Sequence, residues 1–323
     1  MDYTPLKLRP CYKEYLWGGT KLKELYGKGN GCAITAESWE LACRADGMCV
    51  VENGDFQGKP LGQVVELHPD YVGINQKGFP LLVKLIDARE DLSVQVHPSD
   101  ETALLGEQGK AEMWYIVSAK PQSFLYCGLK RAVTREELLS SARDGTICEL
   151  LNRVPVRRGD VFSIRPGTIH AIGKGLLIAE IQQNSNTTFR IYDYLRKDKD
   201  GEPRPLHLER AAEVADLRPV VPRECRANLQ VCFPGYRLVQ MFSCRYFEAY
   251  KLELAGTIRL SCTRASFSHL LVINGRGELR AEDGEWAIES GESWFLPAGL
   301  GKYTISGQCT ILLSKLNEEE RGI

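Results

Sequence analysis

"GDVFSIRPGTIHAI", Gly159 to Ile172, and "GESWFLPAGLGKYTI", Gly291 to Ile305, share a layout. Each places a glycine before a short apolar run, then a proline and a second glycine that turn the chain. Aligning Gly167 with Gly299 sets His170 against Lys302. Aligning "EMWYIVSA" from Glu112 with "SHLLVING" from Ser268 sets Glu112 against Ser268. The chain therefore reads as an internal repeat in which one copy kept polar residues that the other lost. The first copy is longer by about the length of the stretch Thr134 to Pro155, so it reads as the second copy with a helical insertion. A boundary is expected near "LRPVVPRECRAN", where prolines and charges interrupt the pattern. This divides the chain into 1–220 and 221–323.

Around the repeat, strand-like runs dominate: "FPLLVKLID", "LSVQVH", "EMWYIVS", "DVFSIR", "LLIAEIQ", "FEAYKLEL", "SHLLVIN" and "SWFLPA". Short runs punctuated by Gly, Pro, Asn and Asp, with few long helical patterns between them, predict a mainly β barrel or sandwich with helical additions. In "TREELLSSARDGTICELLNRV", Thr134 and Glu137 form a capping box, and Asp144-Gly145 is expected to split the stretch into two short helices.

Composition excludes several classes. With 323 residues, 43% apolar and 26% charged, and a formal net charge of −1, the chain has a globular make-up and no field suited to nucleic acid or a membrane surface. The start shows neither an apolar signal core nor an Arg-rich transit pattern, and no apolar run is long enough to span a bilayer, so a cytoplasmic protein is expected. The eleven cysteines include no CxxC pair, which argues for reduced structural thiols and against a cysteine-held metal. The sequence leaves the oligomeric state open.

The chemistry-bearing residues converge on one face. In "LSVQVHPSDE", Leu92 to Glu101, Val94 and Val96 alternate with Ser93, Gln95 and His97, so the three polar side chains share a side of a strand. Glu112 starts the next strand on the same side as Lys110, and His170 follows the Pro-Gly turn. Two imidazoles, a carboxylate and an amide oxygen suit zinc or another divalent ion, whereas the carboxylate and two histidines alone equally suit non-haem Fe(II). Lys84 and Lys110 sit in apolar strands, where an unpaired ammonium is costly, so an anionic ligand beside them is expected. Lys110 beside Glu112 also reads as a simple charge pair. His68, His207 and His269 lack a carboxylate at a suggestive spacing and read as structural.

The glycine, proline and histidine spacing resembles the second motif of the cupins, small jelly-roll β-barrels. The second copy fits it with Gly291, Pro297 and Gly299 but carries Lys302 in the histidine position; the first has one extra residue before Pro166 and keeps His170. "LWGG" at Leu16, "ESWEL" at Glu37, "FPLLVKLIDAREDLSVQVHP", "KAEMWYI" and "QQNSNTTFRIYDY" together closely resemble type I mannose-6-phosphate isomerase in its short bacterial form. The resemblance implies two cupin-type barrels, the first with helical insertions and one divalent metal, most simply Zn2+, and the second without metal ligands.

It also implies the interconversion of mannose 6-phosphate and fructose 6-phosphate, with a phosphorylated sugar as the partner molecule. The implied ligands are Gln95, His97, Glu112 and His170. Arg190 matches the family's active-site arginine and is expected to stabilise enediolate charge or grip phosphate, its alternative being an ion pair with Asp193. Glu180 is the candidate for proton transfer or for orienting a lysine. Lys84 and Lys110 are expected to bind the phosphate or substrate oxygens, with Lys110 counted beside Arg190 and Glu180 among the catalytic residues, and Ser93 is expected to touch substrate. The sequence departs from the family pattern at Ala111, Ile172, Asn186 and Thr187, positions that bear on substrate contacts. An Fe(II) oxygen-activating cupin and a non-catalytic sugar-phosphate sensor are the rival readings.

Overall fold

Strands are the main regular element of the computed structural model, which describes residues 3–74, 78–197, 201–222 and 229–317. The first half builds two facing sheets. One has six strands in the order Val161–Ile164, Glu112–Ala119, Leu176–Gln183, Leu81–Ala88, Glu37–Leu41, Cys11–Lys13. The other has five: Leu151–Pro155, Phe124–Leu129, His170–Ile172, Val94–Val96, Phe189–Tyr192. Trp114, Ile116, Phe162 and Ile178 of the first sheet pack on Leu125, Cys127 and Ile172 of the second, which makes the pair a sandwich closed around an apolar core.

The second half is one nine-stranded antiparallel sheet. Leu252, Ile258, Leu270, Leu296, Ile305 and Leu313 all belong to it and form a single core cluster, so the sheet curls around its own apolar face. Two of its strands come from the start of the chain: Leu6–Arg9 pairs with Ser293–Leu296, and Val50–Val51 pairs with Leu6–Arg9 to complete the edge. The two halves therefore share a sheet. Part of the expected boundary, residues 223–228, lies outside the described residues.

Strand register makes the repeat concrete. Glu112 stands opposite Ile164 on one side and Gln182 on the other; Ser268 stands opposite Leu296 and Lys315 in the same way. Gly167 and Gly299 both turn at positive φ, 84° and 88°, where a side chain is disfavoured. One alignment changes. Stepping back in twos from Lys315 along Gly301–Leu316 keeps to the inward face and reaches Tyr303, which is buried, while Lys302 is exposed. Tyr303, rather than Lys302, thus stands in the place of His170, because the long second-copy strand has no break like the one between Ile172 and Leu176.

The insertion is helical only in part. Arg135–Asp144 is capped by Thr134, whose Oγ1 accepts the Glu137 N–H at 3.1 Å, and ends at Gly145 in the left-handed region; Ile147–Leu150 follows. The remainder, Leu151–Pro155, is a strand, because pairing with Phe124–Leu129 overrides the weak helical pattern. Thr134→Ala is expected to cost about 1 kcal/mol through the lost cap, measured by denaturant unfolding.

His269 lies buried in the rolled sheet, with Nε2 2.8 Å from Ser293 Oγ and Nδ1 3.4 Å from Ser314 Oγ. Burial, helped by the charge of Lys28, lowers its pKa to about 3. The folded state thus favours neutral imidazole. The resulting stability is present above the unfolded pKa and is lost as pH falls from about 6.5 towards 3. The acid fall in Tm across this window should be shallower for His269→Asn than for the parent chain.

Candidate metal centre and active site

Two rows of opposed residues, one in each sheet of the sandwich, assemble the site. In the five-stranded sheet Gln95 is paired with His170 on one side and Arg190 on the other. In the six-stranded sheet Glu180 is paired with Lys84 and Trp114, and Lys84 in turn with Trp39. Residues directly opposed across antiparallel strands point to the same face. The rows explain why polar residues distant in sequence meet in one interior.

His97, Glu112 and His170 place their ligating atoms within 4.8 Å of one another, and all three are buried. His97 Nε2 is 3.7 Å from Glu112 Oε2, and His170 Nε2 is 3.5 Å from Glu112 Oε1. The Nδ1 atoms point the other way: His97 Nδ1 donates to Thr187 O and His170 Nδ1 to Thr168 O, each at 2.8 Å. These bonds fix the tautomer that leaves both Nε2 lone pairs facing the carboxylate. Gly167 holds the two histidine strands in place, its N–H donating to His97 O at 2.9 Å. The Gln95 amide reaches His170 Nε2 at 3.4 Å, the edge of the same cluster.

The electrostatics suit a cation. Burial, with the charge of Lys110, holds His97 well below the usual histidine range, and burial lowers His170 to about 4. Both rings are therefore neutral and able to ligate. Burial and the charge of Glu180 push Glu112 up to about 8. Glu112 Oε1 is buried with no hydrogen-bond partner among the described residues. An orphaned carboxylate oxygen facing two imidazole lone pairs fits a divalent metal, and the mixed N and O donors fit zinc or another first-row ion.

Lys84 is not the unpaired ammonium expected from sequence, and for Lys110 the charge pair with Glu112 that the sequence also offered is the one that forms. Lys110 Nζ lies 2.7 Å from Glu112 Oε2 and 3.8 Å from Glu180 Oε1; Lys84 Nζ lies 3.6 Å from Glu37 Oε2 and 3.7 Å from Glu180 Oε1. For Lys84 the carboxylates come from neighbouring strands, which a single-strand reading cannot see. With Glu112 ionised by a bound dication, the two ammoniums, the dication and the carboxylates of Glu37, Glu112 and Glu180 would sum to one excess positive charge. Glu180 Oε2 also accepts the Trp114 indole N–H at 2.9 Å. Burial alone would raise Glu180, but Lys110, Lys84 and the Trp114 bond outweigh it and hold the group below the usual carboxylate range.

A cavity of about 250 Å³ opens in front of this network, lined by Ser93, Gln95, Lys84, Lys110, Glu180 and Arg190 among others. His97, Glu112 and His170 sit behind Gln95 and Lys110. The ion pair considered for Arg190 does not form: Asp193 accepts from Arg204, at 2.6 and 2.7 Å, and from Arg196. Arg190 instead donates to Pro205 O at 2.7 Å, and its backbone N–H is held by His207 Nδ1 at 3.0 Å. His207 thus has a structural part, as does His68, stacked on Tyr71. Sequence reasoning did not single out Tyr15, Trp17, Glu37 and Arg204 as lining residues. "LWGG" and "ESWEL" carried the signal for Trp17 and Glu37; Tyr15 and Arg204 had none.

Sandwich, rolled sheet and buried His-Glu-His cluster together define a cupin with one candidate metal centre among the described residues. Residues 6–115 match the family described as phosphomannose isomerase type I, catalytic domain, and residues 239–316 match mannose-6-phosphate isomerase, cupin domain. The chain belongs to the type I mannose-6-phosphate isomerase family, a family of aldose–ketose isomerases. It is 39% identical to the probable mannose-6-phosphate isomerase GmuF of Bacillus subtilis, over 96% of this chain and 98% of that one. It is 38% identical to the B. subtilis mannose-6-phosphate isomerase ManA, over 98% of this chain and all of that one. A crystal structure of the mannose 6-phosphate isomerase from B. subtilis superposes with a TM-score of 0.89 at 35% identity, covering 96% and 99% of the two chains.

No helix among the described residues is long and apolar enough to cross a membrane.

Proposed function

We propose that the chain interconverts mannose 6-phosphate and fructose 6-phosphate through an enediol, using a zinc ion held by His97, Glu112, His170 and Gln95. The observation that carries this reading is adjacency: the cluster that fits a dication touches Gln95 and Lys110, which line one cavity together with Lys84, Glu180 and Arg190. Zinc when bound supplies a Lewis acid that polarises the sugar carbonyl. The isomerisation moves one proton between C1 and C2 and needs a base, an electropositive site for the developing enediolate oxygen, and a dry pocket.

Glu180, held ionised by two lysines, is the base that takes the proton from one carbon and returns it to the other. Lys110 and Arg190 face the oxygens on which negative charge grows, and Ser93 and Lys84 orient the sugar hydroxyls. The phosphate lies toward Arg190, since both lysines are already matched by carboxylates. The division at about residue 220 puts all these groups in the first unit and leaves the second without metal ligands.

A coupled assay of mannose 6-phosphate turnover tests the reading. Activity should vanish on chelation and return with zinc. Turnover regained only with iron and accompanied by oxygen consumption would point to the oxygenase reading, and tight sugar-phosphate binding without turnover to the sensor. Two zinc ions per chain would overturn the assignment of a single centre.

A further inference from the structure

Every group assigned to the reaction lies in the first unit, yet the second touches the segment that carries two of them. Residues 98–109 run from His97 to Lys110 with neither helix nor strand, and most of 100–108 is exposed. Three successive backbone N–H groups pin the end of this loop. Gly109 donates to Asp100 Oδ1 at 2.9 Å, Lys110 to Pro98 O at 3.0 Å, and Ala111 to Gln183 Oε1 at 2.8 Å. Gln183 returns its own backbone N–H to Ala111 O at 3.1 Å and its side-chain amide to Asp100 Oδ1 at 3.3 Å. A Cβ on Gly109 would lie 2.5 Å from Asp100 N, so the two ends of the loop are in close contact. Asp100 thereby sets the backbone from which Lys110 and Glu112 project.

The other oxygen of Asp100 faces the second unit. In the turn between Tyr236–Ser243 and Phe247–Cys262, Tyr246 donates its hydroxyl to Asp100 Oδ2 at 2.5 Å, and Arg245 Nη2 lies 2.9 Å from the same atom. The Arg245 guanidinium lies over the Tyr246 ring, 4.6 Å from its centroid, and reaches Glu101 Oε1 at 3.4 Å. The ring packs against a core cluster that includes Leu81 and Met113 of the first unit and Phe247 of the second, which holds the hydroxyl in place. A single exposed ion pair contributes little to stability. Here one carboxylate joins donors from both units, and small displacements of reacting groups are costly to rate even where they cost little stability.

We infer that Arg245 and Tyr246 are positioning residues: acting through Asp100, they let the second unit hold Lys110 and Glu112 in place in the first. The kinetic part of the inference rests on the isomerase reading of the site. Zinc-loaded, full-length variants test it. Arg245→Ala/Tyr246→Phe keeps the packed ring and removes both donors; kcat should fall about tenfold, with KM within about twofold and Tm within about 3 °C of the parent. Asp100→Asn keeps an oxygen for Gly109 but loses the acceptor that faces the second unit. It should lose a similar factor, and the triple variant no more than either, because the three act as one chain. Arg237→Ala breaks another exposed ion pair of the second unit, with Glu253, and should leave kcat unchanged.

Deuterium exchange in fragments covering 98–111 should quicken in the double variant whether or not sugar turns over, so an inactive parent protein would count against the isomerase reading alone. Parent-like kcat in the double variant, additive losses in the triple, a loss carried by KM or by a fall in Tm, an equal loss in Arg237→Ala, or unchanged exchange would each overturn the inference.

Discussion

Glu112→Gln is expected to leave a folded protein that holds little metal and has lost at least about 100-fold in isomerase activity, a floor set by what even outer-shell changes cost a metal site. Burial and Glu180 push Glu112 up to about 8, so without a cation the protein favours its neutral form at pH 7. Glutamine has the shape of that neutral acid and fits the same space. It removes the negative charge on which two neutral imidazoles depend to hold a dication. It also leaves Lys110 with Glu180, 3.8 Å away, as its remaining carboxylate, a weaker arrangement but not an abandoned one. Metal content per chain, measured together with Tm, separates this outcome from simple unfolding. Full metal occupancy in a folded Glu112→Gln protein would remove Glu112 from the ligand set.

How much of this was legible in the sequence depends on how far each signal reaches along the chain. Period-two alternation marks faces within one strand, which is why Ser93, Gln95 and His97 could be placed together, and the Pro-Gly turn marked His170. What alternation cannot give is the partner across a strand gap. Glu180 opposite Lys84, and Glu37 near its ammonium, are facts of register, so Lys84 looked unpaired when it is in fact matched, whereas the Lys110–Glu112 pair, two residues apart, could be read from the sequence.

The same blindness explains the shift from Lys302 to Tyr303. The Gly-to-His spacing holds in the first copy because its strand breaks at Gly173–Gly175; the unbroken second-copy strand moves the inward face by one residue. Leu151–Pro155 likewise became a strand through an edge offered by residues over twenty positions earlier. Arg204 reaches the cavity from a loop with no periodic pattern, where sequence carries no directional signal at all.

Glu180→Gln should lower kcat by about 10²–10⁴-fold, the usual contribution of a positioned proton-transfer group, with metal content retained and KM changed far less. Glutamine can still accept the Trp114 N–H through its amide oxygen, so the side chain should keep its place. The loss is the negative charge between Lys84 and Lys110. Each lysine keeps another carboxylate, Glu37 or Glu112, so the interior remains paired and the fold should survive with a lowered Tm. The pH profile distinguishes a base from a residue that only orients the lysines. In the parent enzyme Glu180 sits below the ordinary carboxylate range, so the activity it supports should persist from neutral pH well into acid and fail only as the carboxylate takes up a proton. If Glu180 is the base, the residual activity of Glu180→Gln should lack that acid limb. If it merely positions Lys110, the limb should persist at reduced height, and the base must be sought elsewhere among the cavity's groups.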